Sequence, residues 1–213
     1  MAKKIMFNDK YSLTQAVLDG RKTMTRRIIK CPRTFKGEWV AGFNIHRRHS
    51  DKKIVDWPCM YDADEREFDM GEILPKYKVG EVVAIAQSYL DLSLAEVSQW
   101  KSNGNKTTIN SLAGWTNKLF TKAELMPHHI RITNIKIEKL QGISDKDCLK
   151  EGIYKGQCGS ADTHFMDAYY YKGDIQPYCT PREAFAALID KVSGKGTWES
   201  NPYVFVYEFE LID

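Results

Sequence analysis

Hydrophobic and polar positions along the chain mark out a few regular elements separated by long irregular stretches. Leu13, Ala16 and Val17 share a face at helical spacing. Ser12 with Gln15 forms a capping box before them and Gly20 supplies a left-handed stop, so a short helix is predicted. Arg26-Arg27-Ile28-Ile29 reads as the strand that follows, which puts the most basic segment on a helix-to-strand turn. Residues 31–75, with Pro32, Pro58 and Pro75, read as irregular. Val82 to Ala86 is apolar on both faces and predicts a central strand. Residues 91–125 are weakly patterned and read as an insertion, part helical.

The second half is better patterned. Apolar residues at 130 and 132, then at 135 and 137, predict a strand with a β-bulge at Thr133-Asn134, since a regular strand keeps period 2. Ser144 caps a predicted helix from Asp145 to Glu151 that Gly152 ends. Thr180-Pro181-Arg182-Glu183 is a second capping box with Pro at the first helical position. It opens a helix striped by Phe185, Leu188, Ile189 and Val192 and closed by Gly194. Tyr203 to Leu211 alternates cleanly, with Glu208 and Glu210 giving its far end to solvent. Strands outnumber helices and do not alternate with them, which points to an α+β fold around a mixed sheet or small barrel, in a single domain.

Composition narrows the class. No apolar run approaches the ~20 residues of a membrane helix, and the N-terminus lacks the apolar core of a signal peptide. Five irregularly spaced cysteines suit no disulfide framework and predict reduced thiols in a cytoplasm. Charge is lopsided. Residues 1–53 hold 14 Lys and Arg against four acids, a net of +10, while the whole chain carries only +3. Seven basic residues and no acid lie between Arg21 and Lys36. That distribution fits either a solvated basic face or an anionic partner such as nucleic acid.

Two places carry candidate chemistry. In Gly20-Arg21-Lys22-Thr23-Met24-Thr25-Arg26-Arg27, the Thr25 hydroxyl is a nucleophile only if a base takes its proton, and a neutral Lys22 can do so. Like charge from Arg21, Arg26 and Arg27, with any burial, lowers the Lys22 pKa toward that role. The same turn can instead merely touch phosphate. Glu151, at the negative end of its helix with Asp147 one turn back, suits a proton donor or shuttle, or a plain solvent-facing carboxylate. The Cys and His residues match no usual zinc spacing, and neither a Walker A nor a Rossmann fingerprint occurs.

Gly20-Arg21-Lys22-Thr23-Met24-Thr25-Arg26-Arg27 closely resembles the G-x-K-T-x-T-x-R signature of the ASCH domain, within the PUA-like superfamily. The resemblance continues through Tyr77-Lys78-Val79-Gly80-Glu81-Val82-Val83, Leu125-Met126-Pro127 and Arg131-Ile132-Thr133. It then takes in Ile143-Ser144-Asp145-Lys146-Asp147, Glu151-Gly152-Ile153 and Trp198-Glu199-Ser200-Asn201-Pro202. Together these resemble the longer, phage- and prophage-type members over essentially the whole chain.

The resemblance implies a PUA-like mixed β-barrel with flanking helices, here with insertions near 31–75, 91–125 and 153–180. It implies a groove for RNA or a modified nucleobase, and no cofactor. Small bacterial members include N4-acetylcytidine amidohydrolases that use a Lys, a Thr and a Glu, which match Lys22, Thr25 and Glu151. Arg21, Thr23, Arg26, Arg27, Gln87 and Arg131 are the implied substrate or nucleic-acid contacts; Gln87 stands where many longer relatives carry Glu. Two expectations follow: an amidohydrolase acting on an N4-acylated cytidine or similar base, or a noncatalytic module binding RNA or a modified nucleobase in the same groove.

Overall fold

The computed structural model describes residues 2–92, 113–159 and 164–213. Its frame is a five-stranded sheet built from β1 (Lys4–Ile5), β2 (Met24–Ile28), β8 (Val82–Ile85), β9 (His129–Lys139) and β12 (Tyr203–Leu211). The order across it is β1-β8-β9-β12-β2. Only the β1–β8 pair is parallel.

The two long strands β9 and β12 sit together in the sheet, and β9 alternates buried Ile130 and Ile132 with exposed Arg131 and Thr133. In β12, Val204, Phe205, Val206 and Tyr207 are all buried, and the strand reaches solvent at its Glu208–Glu210 end, as its pattern predicts. The bulge is where the phase slip placed it. Asn134 faces Glu208 and Ile132 faces Phe209, which leaves Thr133 as the extra residue.

The expected barrel is replaced by an open sheet. Among the described residues β1 and β2 stand at opposite edges and do not pair, so the mixed α+β class holds without closure. The region 31–75, read as irregular, forms two small sheets. One is a ribbon of β3 (Thr34–Phe35) and β4 (Glu38–Trp39); the other joins β5 (Gly42–Asn44), β6 (Cys59–Tyr61) and β7 (Glu67–Glu72). Their strands are too short for alternation to register. A hairpin of β10 (Tyr154–Cys158) and β11 (Met166–Tyr170) fills part of the 153–180 region. Most of the 91–125 insertion lies outside the described residues.

Among the described residues four α-helices pack around the sheet: α1 (Leu13–Leu18), α2 (Asp145–Lys150), α3 (Pro181–Ser193) and α4 (Thr197–Ser200). The Ser12–Gln15 capping box does not form. Ser12 adopts a left-handed conformation with no side-chain cap, and Gln15 Nε2 donates to Asp19 instead. Ser144 and Thr180 do cap α2 and α3, each accepting from the backbone N–H three residues on. Phe185, Leu188 and Ile189 bury the α3 stripe, whereas Val192, expected beside them, is 37% exposed. Among the described residues no helix is long and apolar enough to cross a membrane.

Candidate active site

Among the described residues strand β2 has only β12 beside it, which leaves its other edge free of a strand partner there. Phe209 N–H donates to Thr23 and Ile29 N–H donates to Tyr203, which turns the backbone of odd-numbered residues toward β12. The amides of Met24, Arg26 and Ile28 therefore face the free edge. The Met24 carbonyl is taken by Lys22, while the N–H groups of Arg26 and Ile28 have no partner among the described residues.

Along this edge runs a cavity of about 440 Å³, lined by four consecutive β2 residues, Thr25, Arg26, Arg27 and Ile28. Lys22 and Glu151 close one part of it; Phe185, Leu188, Ile189 and Val192 of α3 form an apolar wall. The volume suits a small-molecule site. The exposure of Val192 thus places it on the cavity lining.

Two turns bring Lys22 and Glu151 together. After α1, Gly20 takes φ +70°, which glycine adopts without strain, and the Lys22 N–H returns to the Ala16 carbonyl. After α2, Gly152 takes φ +105°, and a Cβ there would stand 3.2 Å from Leu13 and 3.7 Å from the Lys22 stem. Glycine is needed at 152 for both reasons. Thr23 N–H donates to the Lys150 carbonyl and ties the two turns to each other.

The side chains form a buried ion cluster. Lys22 Nζ donates to Glu151 Oε2 at 2.6 Å and to the carbonyls of Met24 and Glu151, both at 2.8 Å. Arg26 Nη1 donates to the other carboxylate oxygen of Glu151 at 3.0 Å. Arg26 also forks onto Glu138, with Nη2 at 2.6 Å and Nε at 3.0 Å, and lies 3.7 Å from Asp147. The Arg26 side chain is 1% exposed. Burial pushes the Lys22 pKa down; Glu151 pulls it back in part, and Arg27 and Arg26 add to the lowering. Burial also works against the charge on Arg26, but Glu151 and Glu138 outweigh it and raise its pKa.

Thr25 is buried, yet its hydroxyl has no hydrogen-bond partner among the described residues. Its place on the lining supplies the contact that the interior does not.

The structure thus gathers Lys22, Thr25, Glu151, Arg26 and Arg27 around one cavity and leaves the other expected contacts outside. Arg21 is exposed and pairs with Asp19 at 2.8 Å. Thr23 serves the backbone connection just described. Arg131 pairs with Glu210 at 3.0 Å on an exposed stretch of β9. Gln87 follows β8 and does not line the cavity; its buried Oε1 has no partner among the described residues. Arg26, expected as a substrate or nucleic-acid contact, has its guanidinium committed to two carboxylates. Glu151 is neither solvent-facing nor left to the helix dipole, because two cations grip it. Sequence reasoning missed Glu138, whose alternate-residue position on β9 carried no signal of a long-range partner. Among the described residues no group of three or more His, Cys, Asp or Glu is placed to hold a metal ion.

Fold and site define an α+β protein with a cation–carboxylate cluster on a small-molecule-sized cavity at a free sheet edge. No protein-family model, curated protein or solved structure matches the chain.

Proposed function

We propose that this chain is an ASCH-type amidohydrolase that removes the acyl group from an N4-acylated cytidine or a closely similar modified base. The observation that carries this reading is the gathering of Lys22, Thr25 and Glu151 on one cavity, with the Thr25 hydroxyl unpartnered there. The 2.6 Å Lys22–Glu151 contact is a path for one proton. Its transfer from the ammonium leaves a neutral amine beside a carboxylic acid, and the lowered pKa of Lys22 favours that step.

The amine then takes the Thr25 proton as Oγ1 bonds to the acyl carbonyl carbon. The unpartnered N–H groups of the β2 edge and Arg27 are the donors on hand for the oxyanion. When the carbon–N4 bond breaks, N4 keeps the electron pair and receives the Glu151 proton, which frees the amino base and leaves an ester on Thr25. Water then gives a proton to the Glu151 carboxylate and attacks the ester carbon. Thr25 leaves with a proton from the Lys22 ammonium, and the starting amine and acid return.

The test is direct. Purified protein is incubated with N4-acetylcytidine and a panel of longer acyl cytidines, and deacylated cytidine is followed by chromatography. Product is the expected result. No product from any acyl group overturns the amidohydrolase reading and leaves a noncatalytic module that binds the modified base.

A further inference from the structure

Beyond the candidate active site, the same strand end carries a second cavity of about 380 Å³. It shares Arg27, Ile28 and Lys30 with the first, so these residues separate two spaces along one stretch of chain. Its other walls are mostly apolar and aromatic, among them Ile73, Leu74, Tyr77, Phe205 and Tyr207. Among the described residues three cations line it, Arg27, Lys30 and Lys76, and no carboxylate does.

These cations differ from the others near the site. Lys22, Arg21, Arg26 and Arg131 each pair with an acid, whereas none of Arg27, Lys30 and Lys76 has a carboxylate within ion-pair distance among the described residues. Arg27 spends one nitrogen on the Met6 carbonyl, at 2.6 Å, and its guanidinium lies 5.9 Å from the Phe7 ring centre. Its remaining donors are uncommitted. Uncompensated cations on the wall between two base-sized spaces call for an anion placed between two flat, largely apolar groups. A phosphodiester linking two nucleosides has that form.

We propose that the substrate is an oligonucleotide strand and not a free nucleoside. The acylated base occupies the first cavity, its phosphodiester lies on Arg27 and Lys30, and the neighbouring base enters the second cavity beside Lys76. This rests on the amidohydrolase reading for the identity of the first base. The second subsite itself rests only on the shared wall, the unpaired cations and the apolar lining.

The test compares N4-acetylcytidine with two dinucleoside monophosphates that carry a uridine on its 3′ or its 5′ side. Turnover is measured with the native chain, and affinity by calorimetry with Thr25→Val. One linkage polarity is expected to improve kcat/KM and affinity by about tenfold over the nucleoside, a gain of the size a charge-assisted contact provides. That gain should shrink with added salt. Lys76→Glu, exposed and outside the first cavity, should abolish the gain while leaving nucleoside turnover unchanged. Equal handling of the nucleoside and both dinucleotides overturns the second subsite and leaves a nucleoside amidohydrolase. Tighter dinucleotide binding that depends on Lys76 but comes with no turnover keeps the subsite and overturns the enzyme. Weak, equal binding with no turnover overturns both.

Discussion

Lys22 and Glu151 stand 129 positions apart in the chain and meet at 2.6 Å in its interior. The contact joins the turn after α1 to the turn after α2, and it shares the carboxylate with Arg26 on the opposite oxygen. A buried pair of this kind contributes little net stability compared with an apolar pair, but removing one partner strands the other.

The first prediction concerns that lysine and pH. Burial holds the folded-state pKa of Lys22 below its ordinary value of 10.5, so the unfolded chain binds this proton more tightly. The burial therefore costs stability below the lowered pKa, and the cost fades as pH rises from there toward 10.5. Turnover should fall through the same window, because the pair then lacks the proton that Glu151 gives to N4. Lys22→Arg keeps the charge, cannot deprotonate, and should lose turnover at every pH. Lys22→Met should lower stability by about 3 kcal/mol at neutral pH, the low end for one-sided removal, since Arg26 still faces Glu151. Urea unfolding across pH, with rates on the acyl cytidine, checks both. A flat pH–rate profile would remove Lys22 as the base.

Arg26 and Glu138 carry the second. The guanidinium spans two carboxylates because its nitrogens fan out in a plane, which no ammonium can copy. Arg26→Lys should therefore cost more than Glu138→Gln, which keeps the shape and loses only charge. Glu138→Gln should cost about 1–2 kcal/mol, the worth of a charge-assisted bond, and lower kcat without raising KM, because Glu138 touches no substrate. Thermal unfolding and steady-state kinetics test this, and a rise in KM alone would contradict it.

Much of the frame was legible because its cues are local. The β12 alternation, the slip at Thr133 and the caps at Ser144 and Thr180 each lie within a few residues of the element they define. Lys22 and Thr25 stood out for the same reason. The small strands β3 to β7 escaped because two to six residues, interrupted by glycine and charge, hold too few alternations to register. The partners of Glu151 were invisible for a different reason. A carboxylate at a helix end looks identical whether solvent or two buried cations face it, and only tertiary packing decides. Arg26 illustrates the converse, since a basic run suggests phosphate wherever its acids lie far off in sequence.

Gln87 supplies the third prediction. Its Oε1 is buried without a partner among the described residues, which costs free energy of desolvation with no hydrogen bond there in return. Gln87→Leu removes that cost at similar volume and should leave stability unchanged or raise it by about 1 kcal/mol. Since Gln87 does not line the cavity, turnover should hold. Loss of activity at unchanged melting temperature would return Gln87 to the substrate contacts that its place in the sequence implied.

The last prediction separates a nucleophile from a wall. Because the Thr25 hydroxyl has no hydrogen bond among the described residues, Thr25→Val gives up no internal partner and keeps the β-branched shape that suits β2. Stability should therefore change by less than about 0.5 kcal/mol, as at sites without a lost contact. Turnover should fall by several orders of magnitude while affinity for the acyl cytidine is kept. Thr25→Ser restores the oxygen on a freer side chain and should recover part of the rate. An acyl adduct on residue 25, trapped by acid quench and read by mass spectrometry, should appear with the native chain and be absent from Thr25→Val. Hydrolysis that persists in the valine variant would mean that water attacks the amide directly, with Thr25 serving only to shape the cavity.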